Sequence, residues 1–242
     1  MRAELTGHAE LPRTDDLPSL PYRLAVAARQ IARPYFFRKY DLHVHHEDWF
    51  PRTGPVLMTP NHLNLLDAPL LGAIAPRMLH QLGKIEVFGG LQGWFLHRIG
   101  QIPVDRRSYD MLAIRKSVQV LRDGRVLNIY PEGTRGAGDF RRIHVGVAYL
   151  AMVTGAPILP VALLGTRLPH ASVEGFPPAG SRIDVVYGEP FPVDRVPFPR
   201  RQSDVRAVAD QIGDRLRAHV RAAVEATGHP LPGAPDQKDP DE

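Results

Sequence analysis

Residues 59–69 read TPNHLNLLDAP, and among the leucines and prolines stand one imidazole, His62, and one carboxylate, Asp67. A neutral imidazole, with an ordinary pKa of about 6.5, can take the proton of an alcohol. A carboxylate on its other ring nitrogen fixes the tautomer and steadies the imidazolium that forms. On an α-helix, positions five apart point roughly 140° away from each other. Contact therefore requires His62 to sit in the turn before a helix that carries Asp67.

The spacing alone says little. With 11 His and 17 Asp in 242 residues, about 0.8 matches arise by chance. Two occur, the second being His43 and Asp48 in HVHHED (43–48). That stretch reads as an edge strand running into a polar turn. A zinc site on its imidazoles is the sharper alternative, but no matching His or acid cluster follows it.

Context separates the two matches. His62 follows the extended run PVLMTP and precedes the apolar LLDAPLLGAI. Further on, QIPVDRR (101–107) ends a strand with Asp105 and Arg106, and NIYPEGTRG (128–136) ends another in a Pro-Glu-Gly-Thr-Arg turn. Open α/β sheets place their sites at such strand ends. Gly133 and Gly136 free backbone N–H groups for an anion, and Arg106 and Arg135 offer forks that match phosphate oxygens. Each piece also has a plain structural role, as a solvated Asp105–Arg106 pair or an ordinary turn. Asn61 reads as a turn or cap residue, and Trp94 and Phe95 as helix-packing groups.

The elements that must position these groups alternate between extended and helical, the pattern of a single α/β domain with a mixed, mostly parallel sheet flanked by helices. Extended candidates are LHVHH (42–46), PVLMT (55–59), KIEVF (84–88), QIPV (101–104), RVLNIY (125–130), PILPVAL (157–163) and RIDVVYG (182–188). Ser108 is expected to cap a helix running through Leu121 and stopping at Gly124, and VGVAYLAMV (145–153) stops at Gly155. A last helix starts at Ser203, with Val205, Val208, Ile212, Leu216, Val220 and Val224 on one stripe, and ends at Gly228.

Composition bounds the classes. A length of 242 residues, 43% apolar and 23% charged, is a folding chain large enough for one sizeable core. Without Cys there are no disulfides, thiolate nucleophiles or cysteine metal sites, which fits a reducing compartment. Of 30 basic residues only Lys39, Lys84, Lys116 and Lys238 are lysines, so a single Arg carries little information. The net charge of +4 suits phosphate ligands or an anionic membrane surface, and no nucleic-acid motif is present.

The N-terminus lacks the apolar region of a signal peptide, and no apolar run of 18 residues exists. Residues 1–20 and the acidic, Pro-rich 229–242 read as flexible tails around a domain at 41–228. Between tail and domain, residues 21–40 form an amphipathic helix with Leu24, Ala28, Ile31 and Tyr35 on one face. Arg23, Arg29, Arg33, Arg38 and Lys39 surround that face. It lies either in a membrane interface or against its own domain, and the sequence leaves both open.

Four blocks in order carry a resemblance: NHLNLLD (61–67), GQIPVDR (100–106), YPEGTRG (130–136) and ILPVALLG (158–165). Together they resemble the glycerolipid acyltransferases, specifically the 1-acylglycerol-3-phosphate acyltransferase family, over roughly residues 40–192. GKIEVFGG (83–90) and VVYGEPF (185–191) are lesser echoes. Leu63 and Leu65 make the first block more apolar than usual, and Pro103 interrupts the second. The resemblance implies a glycerol-3-phosphate acyltransferase-like fold and acyl transfer from acyl-CoA or acyl carrier protein to the sn-2 hydroxyl of lysophosphatidate. His62 and Asp67 would be catalytic. Arg106, Arg135 and Lys84 would hold the phosphate, and Glu132, Gly133 and Thr134 would shape the pocket.

No cofactor, metal or nucleic acid is implied. The expected place is the cytoplasmic face of the cell membrane, as a peripheral protein. The alternatives are another lysophospholipid or glycolipid acceptor, a lipid-binding scaffold without turnover, and a metal-dependent hydrolase built on HVHHED.

Overall fold

Continuous apolar runs such as VLMTP and ILPVALL mark strands covered on both faces. In the computed structural model, which describes residues 11–236, these runs are β2 (Val56–Pro60) and β6 (Ile158–Leu164). They are neighbours in a seven-stranded sheet, and every residue of both is buried. The other strands are β1 (Asp41–His45), β3 (Leu79–Lys84), β4 (Ile102–Val104), β5 (Val126–Asn128) and β7 (Arg182–Tyr187), in the order β1-β7-β6-β2-β5-β3-β4. All neighbours are parallel except β6 and β7. Strands β2 to β6 therefore bring their C-terminal ends to one edge of the sheet. Pro160 is tolerated inside β6 because the β7 ladder ends at Val161–Tyr187, and its carbonyl still accepts from Gly188 N.

Helices close both faces. On one, α4 (Met111–Arg122), α5 (Gly146–Thr154) and α6 (Gln202–Thr227) bury Val118, Leu121, Leu150, Ile212 and Leu216 in one core cluster. On the other, α1 (Arg23–Lys39) and α2 (Asp67–Ile74) bury Phe36, Leu70, Leu71 and Ile74. The remaining helix among the described residues, α3 (Gly90–Arg98), links β3 to β4. The α6 stripe falls on Val205, Ala209, Ile212, Leu216, Val220 and Ala223, with Val208 and Val224 at its margins.

Three expectations need correction. KIEVF is not a strand: β3 is LHQLGK, and Ile85–Phe88 is a 3-10 turn. Buried polar groups hide β3 from an apolar pattern, since His80 Nδ1 bonds Gly100 O at 2.8 Å and Gln81 Nε2 bonds Ala68 O at 3.0 Å. Ser108 does not cap α4; Asp110 does, accepting from Ala113 N at 2.9 Å. Trp94 and Phe95 are not packing groups, because both face solvent.

The first helix packs on its own domain through Ala25 and Phe36, and Arg29 Nε donates to Ala73 O at 3.1 Å. Ile31 and Tyr35 of the expected stripe point outward. The inner parts of both expected tails are docked. Arg122 and Arg125 bond the carbonyls of Pro12 and Leu20, and Gln119 bonds that of Leu17. Residues 1–10 and 237–242 of those tails lie outside the described residues.

The edge strand β1 runs into a 3-10 turn (Glu47–Trp49), the plain reading of HVHHED. Its histidines go separate ways. His43 pairs with Asp41 at 3.0 Å, His45 with the buried Asp184 at 2.8 Å, and His46 stacks on Trp49. Asp184 also accepts from His229 Nδ1 and Arg182 Nε, each at 2.8 Å, which ties His229 to the sheet. Burial opposes the charge on Asp184, but these hydrogen bonds outweigh it and hold its pKa below the usual carboxylate value. Asp184→Asn is expected to cost about 1–3 kcal/mol in chemical denaturation at pH 7. Because the folded pKa is depressed, that difference should persist down to about pH 4 and close as pH falls through the folded value.

Candidate active site

The turn between β2 and α2 holds a histidine because a carboxylate organises it. Asp67 opens α2 and is fully buried. Its Oδ2 accepts from Leu63 N at 2.7 Å and Asn64 N at 2.8 Å, and lies 2.9 Å from His62 Nδ1. The required geometry is met: His62 sits in the turn and Asp67 on the first turn of the helix. The His62 ring stacks on Tyr130, with centroids 3.9 Å apart and planes 20° apart. Its side chain keeps 17% exposure, so the ring is held on one edge and open at another.

The β5 loop locks the same turn from the other side. His62 N donates to Glu132 Oε2 at 2.8 Å, while Gly136 N donates to His62 O at 2.8 Å. Glu132 Oε1 accepts from Phe140 N at 3.0 Å. Glu132 thus points inward, at the backbone of His62, and its part in any pocket is to position that residue. Burial pushes its pKa up to about 7 against the two backbone N–H groups that lower it. Asn61, expected as a turn or cap residue, instead ties β2 to β6, exchanging bonds of 3.0 and 2.7 Å with the Leu163 backbone.

Cations ring this edge. Lys84 ends β3, and the β3–β4 register pairs it with Val104, which leads into Arg106. Two strand spacings separate β2 from β3, roughly 10 Å. Asp105 bends the loop by accepting from Arg107 N at 2.8 Å and Ser108 Oγ at 3.0 Å, leaving Arg106 exposed. Arg135 is buried, with Nη2 3.9 Å from Glu174. Glu174 belongs to the loop that also receives Asn64 Nδ2, at Gly175 O, and Leu65 N, at Val173 O. Gly133 has φ +74°, and a Cβ there would lie 2.6 Å from the His144 ring; Thr134 beside it is half-buried.

Two residues at this edge escaped the sequence reading. His144 covers Gly133, and partial burial with the charges of Arg142 and Arg106 lowers its pKa. Arg167 is buried beyond β6. Its Nη2 donates to Gly136 O at 3.1 Å and Gly233 O at 2.5 Å, and its Nη1 to Ala171 O at 3.3 Å. Burial lowers the Arg167 pKa while the charge of Asp67 raises it, so the two ions feel each other. With 26 arginines in the chain, no sequence signal singled it out.

A family model described as Acyltransferase matches residues 41–164, from the first residue of β1 to the last of β6. The chain belongs to the acyltransferase family. The matched span of this acyltransferase includes His62, Asp67, Lys84, Arg106 and residues 132–135, while Arg167 and the 172–175 loop lie past its end. Among its relatives, a 1-acyl-sn-glycerol-3-phosphate acyltransferase of Bacillus subtilis (strain 168) is 26% identical over 177 residues, covering 72% of this chain and 85% of that protein. A lyso-ornithine lipid O-acyltransferase of Pseudomonas aeruginosa is 38% identical over 112 residues, 45% of this chain and 43% of its own. The crystal structure of a 1-acyl-sn-glycerophosphate acyltransferase from Thermotoga maritima shares the fold, with a TM-score of 0.60 at 21% identity over 82% of this acyltransferase and 80% of that chain.

Two substitutions test this geometry. Because the folded pKa of Glu132 lies above its unfolded value, its contribution to stability is full below about pH 4.5 and drains as pH rises to about 7. Glu132→Gln should therefore gain on the parent by on the order of 2–3 kcal/mol between pH 4.5 and 8. Denaturation at both values measures this. Gly133→Ala forces a side chain into the left-handed region and against His144, and should cost about 1–2 kcal/mol along with activity.

Proposed function

We propose that this acyltransferase moves a fatty acyl group from the thioester of acyl-CoA or acyl carrier protein to the sn-2 hydroxyl of 1-acylglycerol-3-phosphate, giving phosphatidic acid. The observation that carries the reading is the 2.9 Å contact between His62 Nδ1 and the buried Asp67. With Nδ1 committed to the carboxylate, Nε2 is the nitrogen left to act as base. It takes the hydroxyl proton as the alkoxide oxygen bonds the thioester carbonyl carbon. The tetrahedral oxyanion then collapses, the C–S bond breaks, and the imidazolium returns its proton to the leaving thiolate. No acyl-enzyme is needed, in keeping with a chain that has no Cys and no G-x-S-x-G.

The phosphate would meet Arg106 and Lys84 at the open side of the edge and Arg135 from beneath. The glycine N–H groups expected to serve an anion are already bonded, Gly133 N to Tyr130 O at 3.1 Å and Gly136 N to His62 O at 2.8 Å. The oxyanion donor in this turn would therefore be the Thr134 backbone N–H. The name of the Bacillus relative supports this acceptor. Among the described residues no helix is long and apolar enough to cross a membrane. We place the protein peripherally on the cytoplasmic face of the cell membrane. A second reading, transfer to another lysolipid, is favoured by the 38% identity to the lyso-ornithine lipid enzyme. The positive charges at Arg106 and Arg142 argue instead for an anionic head group.

Labelled acyl-CoA offered with a panel of lysolipids, with products identified by mass, is expected to give phosphatidic acid as the main product. His62→Ala should lower kcat by roughly 10²–10⁴ with an unchanged far-ultraviolet spectrum. Asp67→Asn should lose a comparable factor. Arg135→Ala should raise KM for the phosphorylated acceptor more than for the thioester. A His62→Ala protein that turns over at the parent rate ends the mechanism.

A further inference from the structure

The edge of the sheet that carries His62 has an apolar side. Between β3 and β4 the chain folds back on itself, and α3 rests on the Ile85–Phe88 turn. Gly93 lies so close to this turn that a Cβ would stand 1.9 Å from the Phe88 carbonyl oxygen. The Phe88 ring is occupied inward, over Gly83 and against His97. What remains outward is apolar: Leu91 at 81% exposure, Trp94 at 54% and Phe95 at 39%, with Ile85 and Val87 beside them. The Arg107–Glu86 pair, at 3.8 Å, joins the loop after β4 to the turn, and that loop carries the exposed Tyr109.

The charges around this patch are mostly positive. Residues 84–109 hold Lys84, Arg98, Arg106 and Arg107 against Glu86 and Asp105. Asp105 is spent on its own loop, and Arg98 lies over the Trp94 ring at 5.7 Å. Aromatic groups with an apolar body, ringed by arginines whose stems reach past them, are the composition of a surface that meets lipid head groups. The patch is also continuous with the strand ends bearing Lys84 and Arg106, so a lipid lying on it is beside the cation ring.

We propose that the Ile85–Phe88 turn and α3 form the docking surface for an anionic phospholipid bilayer, from which the acceptor enters the site without leaving the membrane. The purpose of this surface rests on the lipid-acceptor reading above; its geometry does not. The chain entering α1 touches the link between β3 and β4, where a Cβ at Gly100 would lie 2.2 Å from Pro21 O. From there α1 runs across the sheet to β1 at the opposite edge, and the outward Ile31 and Tyr35 sit about two and three turns along it. An acidic carrier protein is the competing occupant.

The test uses the full chain carrying Trp49→Phe, which leaves Trp94 as the single indole. Vesicles of phosphatidylcholine mixed with phosphatidylglycerol should shift Trp94 emission to the blue, and flotation should recover the protein with them. Vesicles of phosphatidylcholine alone should do so far less. Leu91→Asp with Phe95→Asp should reduce the partition coefficient at least ~10-fold at an unchanged melting temperature, whereas Ile31→Asp should change it by less than about two-fold. Vesicle binding needs neither donor nor acceptor, so it stays readable if the acceptor assignment fails. The proposal is overturned if Trp94 does not shift, if the double variant floats like the parent, or if Ile31→Asp loses as much. A Trp94 shift with acyl carrier protein but not with vesicles also overturns it.

Discussion

The site depends on one buried oxygen. Oδ2 of Asp67 has no solvent to rely on, so it must be satisfied by protein donors, and three converge on it: the backbone N–H groups of residues 63 and 64 and the His62 ring. The two backbone bonds wrap the turn around the start of α2. That wrapping delivers the imidazole to the same oxygen. A five-residue spacing that no regular helix could use thereby becomes a rigid contact, and the turn is as strongly determined by the acid as the acid is by the turn.

A second carboxylate does the complementary job under different terms. Glu132 has two backbone donors instead of three groups, and burial leaves it with a pKa of about 7. It belongs to the loop after β5, yet it holds the backbone of the residue after β2, and Gly136 of the same loop holds that residue's carbonyl. Arg167 extends the chain of bonds, since it grips the Gly136 carbonyl and the Gly233 carbonyl together. The imidazole is therefore positioned by three separate stretches, one of them near the C-terminus. Lys84 and Arg106 lie at the strand ends of the same edge, and the charges of Arg106 and Arg142 both act on His144.

Much of this was legible because it rests on local patterns. The runs at β2 and β6 are nearly all apolar, and Gly155 and Gly228 end α5 and α6 in the left-handed conformation expected of them. What misled was a polar residue with a partner far along the chain. His80 and Gln81 look like loop residues until Gly100 and Ala68 are seen to satisfy them. KIEVF alternates like a strand, but Ile85 and Val87 belong to a turn and face outward. Asp110 rather than Ser108 caps α4 because the helix begins at Met111, two residues later than a Ser108 cap would place it.

The sequence by itself determined the fold class and the strand-to-helix setting of His62; the pairing with Asp67 it offered as one of two five-residue matches, singled out by the order of the four blocks. Those follow from short-range chemistry: hydrophobic period, turn residues and the reach of one side chain to its neighbours. Only the tertiary structure decided that Glu132 faces inward, that Arg167 and His144 join the site, that HVHHED parts its histidines among separate partners, and that α3 shows its aromatic face to solvent. Each of these depends on which distant backbone group lies opposite a side chain, and sheet order sets that, because strands far apart in sequence become neighbours only when the β-α-β crossovers are complete.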